Sequence, residues 1–180
     1  MRPVAIATIL LLFLAVMYGA FFEVSATLNE EFIRLAPPPV RTYYLDKVFL
    51  NSDNECRGCR FRVISALHMI RKDLDESQNS YDYDYGKILP FIRSDTYGGF
   101  EEPIPMMACI IVLRYNDRQL FEKMAAMYRQ TPGILRECIH SGLYWIKEDS
   151  GPAPHALVYD NLDSIPALSP LVHNIPEAIR

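Results

Sequence analysis

The run from Val4 to Phe22 constrains this chain most. Its 19 residues pass almost without a polar side chain, behind Arg2 and the chain's own amine. A positive start, a long apolar stretch and the small residues Val24 and Ala26 form the pattern of a secretory signal peptide cut before Thr27. The run exceeds a usual signal core of roughly 7–15 residues. At about 1.5 Å per residue it nearly spans a bilayer interior of roughly 30 Å. An uncleaved N-terminal anchor is therefore the alternative for residues 1–26. In both cases residues 27–180 face the non-cytosolic side, as a secreted, extracellular protein or as a membrane-anchored one. A membrane enters only if the segment stays uncleaved.

That compartment sets the chemistry of the four cysteines, Cys56, Cys59, Cys109 and Cys138. An even number of cysteines behind a signal peptide implies two disulfides, with three pairings open. Cys56 and Cys59 share a helical stripe with Val63, Leu67, Ile70 and Leu74, at spacings of three and four. The stripe predicts a helix over Cys56–Leu74 with both cysteines toward the core. The expected arrangement bridges each of them to one of Cys109 and Cys138. A sharper alternative is redox chemistry. Cys56-Arg57-Gly58-Cys59 opens the helix beside Arg60 and Arg62, and cations and the helix dipole lower a thiol pKa. With a strand before it, this resembles the thioredoxin-like arrangement. That reading makes Cys56 and Cys59 the catalytic pair and leaves Cys109–Cys138 as a structural bridge. The same stretch is similar to the first helix of saposin-like domains, which implies lipid binding. Their further cysteine pairs have no counterpart in this chain.

The rest of the chain reads as mostly helical with minor β structure. Thr27 to Arg41 holds Pro37-Pro38-Pro39 and is expected to be an extended, proline-containing linker. Thr42–Leu50 is aromatic and branched, and reads as a strand. Residues 42–150 form the expected disulfide-stabilised domain. Met106–Leu113 fits a buried strand or a buried helix. Asn116–Gln119 resembles a capping box before a helix carrying Leu120, Phe121, Met124, Ala125 and Tyr128. Thr131-Pro132 reads as the cap and first residue of another helix, with Leu135, Cys138, Ile139, Gly142 and Ile146 on one face. Gly151–Arg180 holds five prolines and is expected to be an extended C-terminal tail, docked near Ala156–Leu162.

Few motifs carry chemistry. No G-x-S-x-G, H-E-x-x-H or phosphate loop occurs, and the four histidines are scattered. Cys138 and His140 could join Cys56 and Cys59 around zinc, but the required second spacing is missing; no metal and no cofactor is expected. Tyr81, Tyr83 and Tyr85 alternate with Asp82 and Asp84 in an apparent acidic loop, the pattern of a tyrosine-sulfation acceptor. The net charge is −4, without the basic surplus of a nucleic-acid binder. The expectation is a secreted, non-enzymatic binding protein held by two disulfides. Its partner would be an extracellular protein or a small apolar ligand.

Overall fold

The computed structural model describes residues 7–17, 33, 36–50, 57–76, 83–93 and 103–174. The described residues are mostly helical and contain no strand. Among the described residues, these α-helices follow the N-terminal segment: α1 (Pro38–Leu50), α2 (Arg57–Glu76), α3 (Pro103–Tyr115), α4 (Arg118–Met127), α5 (Pro132–Ser150), α6 (Pro152–Asp163) and α7 (Ser169–His173). A 3-10 helix, Tyr85–Ile92, lies between α2 and α3.

The centre is α3. From Met107 to Leu113 every side chain is buried, so the helix is enclosed on all sides. A helix apolar all round must be covered by others. Here α2, α5 and the 3-10 helix cover it, α6 and α7 pack outside α5, and α1 lies on α2. Met106–Leu113 is thus helical. Length decides what periodicity could not, because the apolar run continues into a 13-residue helix opened by Pro103.

Two expectations about proline are corrected. Thr42–Leu50, read as a strand, belongs to α1, and that helix starts inside the triple proline. The Pro37 carbonyl accepts hydrogen bonds from the amides of Val40, at 2.9 Å, and Arg41, at 3.1 Å. Pro38 and Pro39 fill first-turn positions, where a missing amide costs nothing. Packed structure also begins earlier than position 42, since Ile33 and Ala36 are buried. The extended tail is likewise replaced by α6 and α7. Pro152 and Pro154 lie in the first turn of α6, and Pro170 is the second residue of α7. Val158 and Leu162 are buried, as the docking of Ala156–Leu162 required, and so are Ile165, Leu168, Leu171 and Val172.

The remaining helix starts follow local chemistry. Asp117 caps α4 by accepting from the Leu120 amide at 2.7 Å. Thr131 precedes Pro132 as expected, but its hydroxyl donates backward to the Tyr128 carbonyl. In α2, Val63, Leu67 and Ile70 are buried and Leu74 partly so. Met69 is buried on a second face, whereas Phe61 is 71% exposed.

Residues 7–17 are helical, and all their side chains are exposed. Among the described residues no helix is long and apolar enough to cross a membrane.

Candidate functional site

A cavity of about 630 Å³ opens where four helix ends meet. The last turns of α2 contribute Arg71 and Leu74, and the end of α3 contributes Arg114. The end of α5 brings Ile146, Asp149 and Ser150, and the first turns of α6 bring Pro154, Leu157 and Val158. The corner between α5 and α6 makes this geometry possible. Gly151 sits at φ 85°, a left-handed conformation that glycine takes without a side-chain clash, and α6 restarts at once with Pro152. Another lining residue, Asn116, is held by Asn161 of α6. The Asn161 amide donates to both the carbonyl and the side-chain oxygen of Asn116, at 3.2 and 3.1 Å. Asn116 has φ 52°, and asparagine is among the residues that tolerate this region.

The polar side of the cavity is a charge cluster. Asp149 forms a close ion pair with Arg71, and the same oxygen lies 3.5 Å from Nη2 of Arg114. That nitrogen also donates to Ser150 Oγ at 2.6 Å. The Arg114 side chain is only 10% exposed. Its burial lowers the guanidinium pKa, the neighbouring Arg71 lowers it further, and Asp149 opposes both. Arginine still stays charged at neutral pH. The lining also includes the apolar side chains of Leu74, Ile146, Leu157 and Val158, of which Ile146 and Val158 are buried and Leu157 is exposed. The arrangement holds charge rather than moving protons: Ser150 Oγ meets Arg114, which has no lone pair to act as a base.

Of the residues expected to carry function, those described are placed elsewhere. Cys109 on α3 is bonded to Cys138 on α5, with the Cα atoms 5.4 Å apart. That bond corrects the crossed pairing, because neither sulfur is left for Cys56 or Cys59. It also removes Cys138 from a zinc site with His140, and no metal-holding cluster occurs among the described residues. Cys56 and the side chain of Cys59 lie outside the described residues.

Tyr83 and Tyr85 do not form an exposed acidic loop. Each is 3% exposed and belongs to the core. The Tyr85 ring stacks on Tyr115 at 4.0 Å, Tyr83 meets Phe49 at 6.2 Å, and the Tyr83 hydroxyl donates to Asp46 at 3.3 Å. Asp84 is occupied in capping the 3-10 helix through the Gly86 amide. Tyr81 lies outside the described residues. A tyrosine among carboxylates reads as exposed because its neighbours are charged. Here Tyr83 and Tyr85 turn inward and bury their rings, while Asp84 between them stays exposed.

A second polar group involves Asp163, Ser169 and His173. Ser169 Oγ, at 2.6 Å, and His173 Nε2, at 2.9 Å, both approach the same Asp163 oxygen. The serine therefore donates to the carboxylate and not to the histidine. That ties α7 to α6 and is not the relay of a nucleophilic triad.

None of Arg71, Arg114, Asp149 and Ser150 stands out in the sequence. The one usable signal is Arg114, a charge ending the otherwise apolar run Met106–Leu113. No protein-family model, curated protein or solved structure matches the chain.

Proposed function

We propose that this is a secreted, non-enzymatic binding protein that takes a small ligand in the cavity between the ends of α2, α3, α5 and the start of α6. The cavity carries the reading. Its volume of about 630 Å³ falls within the range of small-molecule sites, roughly 300–1,000 Å³. Its lining combines apolar side chains with a few convergent polar groups, the composition of such sites. Export is supported by the helical segment 7–17, whose apolar side chains face outward. The thiol–disulfide alternative loses the strand it placed before Cys56, since Thr42–Leu50 is helical, and keeps the Cys109–Cys138 bridge it expected.

Mass spectrometry of the exported protein tests both halves. The expected result is an N-terminus at Thr27 and, under native conditions, a bound small molecule released on denaturation. An intact Met1 terminus in the membrane fraction would replace secretion by anchoring. Identical native and denatured masses, with no thermal stabilisation by any member of a small-molecule panel, would overturn the binding reading.

A further inference from the structure

We propose that the cavity takes a free α-amino acid with an apolar side chain, its carboxylate on Arg71 and its ammonium on Asp149. The inference rests on the cavity-binding reading and adds the chemical class of the ligand.

The lining holds an ion pair in which each partner keeps part of its bonding capacity. Arg71 meets Asp149 through Nη2, and among the described residues its Nε and Nη1 have no hydrogen-bond partner. Neither nitrogen is buried. Asp149 spends Oδ2 on both arginines, and its Oδ1 accepts no bond from the described residues. The side chains of Arg71 and Asp149 are 24% and 28% exposed. Arg114 stands apart from this. It is 10% exposed and its Nη2 is engaged by Asp149 and Ser150, so it anchors Asp149 and offers a ligand nothing.

Contact between the two residues decides the ligand's head. A group that reaches the unused donors of Arg71 lies beside Asp149, and a group that reaches Asp149 Oδ1 lies beside Arg71. A carboxylate without an amine would set its charge against Asp149. An amine without a carboxylate would set its charge against Arg71. Like charges at such separations disfavour each other. A zwitterion completes a ring of alternating charges and meets neither repulsion. In an α-amino acid one carbon separates the two charged groups, the short span that two residues in contact require. Hydroxyl or amide ligands would also match a donor and an acceptor, but bonds with charge on both sides are roughly twice as strong.

Two lining residues set the side-chain preference. Leu157 is 64% exposed, and Leu74 is only partly buried. An apolar side chain laid on them removes apolar surface from water on both partners. Ile146 and Val158 are already buried and add little.

The test is calorimetry on the exported protein with three probes that share one side chain: leucine, isocaproate, which lacks the amine, and isoamylamine, which lacks the carboxylate. Leucine should bind one to one, at least tenfold tighter than either, the scale of one charged hydrogen bond. Arg71→Gln should weaken leucine about tenfold. Asp149→Asn should reverse the order, so that isocaproate binds tighter than leucine, a reversal that mere loss of structure would not produce. Leu157→Ser, at an exposed position, spares the ion pair and should narrow the gap between leucine and glycine. Isocaproate binding the unaltered protein as tightly as leucine would overturn the amino-acid assignment and leave the cavity reading standing. So would a co-purifying compound that lacks either charge, or leucine binding that neither Arg71→Gln nor Asp149→Asn changes. Failure of all three probes also overturns the assignment. If in addition nothing co-purifies and no other small molecule stabilises the protein, the cavity reading falls with it.

Discussion

Gly142 and Gly133 lie on the same helix, α5, and should respond oppositely to the same substitution. A Cβ on Gly142 would run into Leu113 Cδ1 and come within 3.7 Å of the Cys109 carbonyl carbon. Leu113 is wholly buried and has nowhere to turn. The helix-propensity gain of about 1 kcal/mol is outweighed by overpacking of about 1–3 kcal/mol. Gly142→Ala should therefore lower stability by up to about 2 kcal/mol in urea unfolding. Gly133 has nothing within 4 Å of its Cβ direction, so Gly133→Ala should raise stability by up to about 1 kcal/mol. His140, on the same helix, makes stability depend on pH. Burial disfavours its protonated form, a hydrogen bond to the Leu171 backbone opposes this, and Arg136 adds to it. The net effect holds its pKa below the ordinary 6.5. The unfolded chain then takes up the proton first. The stability is complete above pH 6.5, is lost as pH falls through 6.5 toward the lower folded value, and levels off below it. Urea midpoints measured from pH 7.5 down to about 5 should show this decline, and His140→Gln should flatten it.

Prolines mark the starts of elements in this chain, where a linear reading takes them for breaks. Pro38, Pro103, Pro132 and Pro152 each open a helix. A proline with no amide is harmless where helical amides have no partner anyway. The same residue deeper in a helix costs about 3 kcal/mol or more. Thr131-Pro132 was legible because a capping residue precedes it. Pro37-Pro38-Pro39 and Pro152–Pro154 were not, because clustered prolines match the extended polyproline pattern equally well. The disulfide belongs to this scale too, since it ties the central helix α3 to α5 across a separation of 29 residues. Closing a loop of that length stabilises by about 3–4 kcal/mol in the chain-entropy model. The double substitution Cys109→Ala/Cys138→Ala should lose about that much in urea unfolding. A loss below about 1 kcal/mol would mean that packing around α3 alone holds the pair of helices.

At the scale of the whole molecule, the described residues after Ser150, 151–174, are part of the core rather than an appendage. Val158, Leu162, Ile165, Leu168, Leu171 and Val172 are all buried. Each is worth about 1.5–3 kcal/mol. Six together rival the entire net stability of a domain, about 5–15 kcal/mol. Truncation after Ser150 should therefore abolish the cooperative melt and not merely shift it. The truncated chain would also lose one wall of the cavity, since Pro154, Leu157 and Val158 come from α6. Residues 7–17, by contrast, are all exposed and add nothing to the buried core. Starting the chain at Thr27 should leave the melting temperature within about a degree of the full-length value.

Sequence alone determined which helix faces are apolar. Val63, Leu67 and Ile70 in α2, Leu120, Phe121, Met124, Ala125 and Tyr128 around α4, and Leu135, Cys138, Ile139, Gly142 and Ile146 in α5 all repeat at helical spacing and are all buried. Periodicity is a local property, and three or four residues of context suffice to read it. Tertiary structure decided what those faces meet. The partner of Cys109, the inward turn of Tyr83 and Tyr85, and the gathering of Arg71, Arg114 and Asp149 depend on residues about 30 to 80 positions apart in the chain. A charged residue next to an apolar run looks the same whether it meets water or another charge. Only the packing of α2, α3, α5 and α6 makes those three side chains the floor of one cavity.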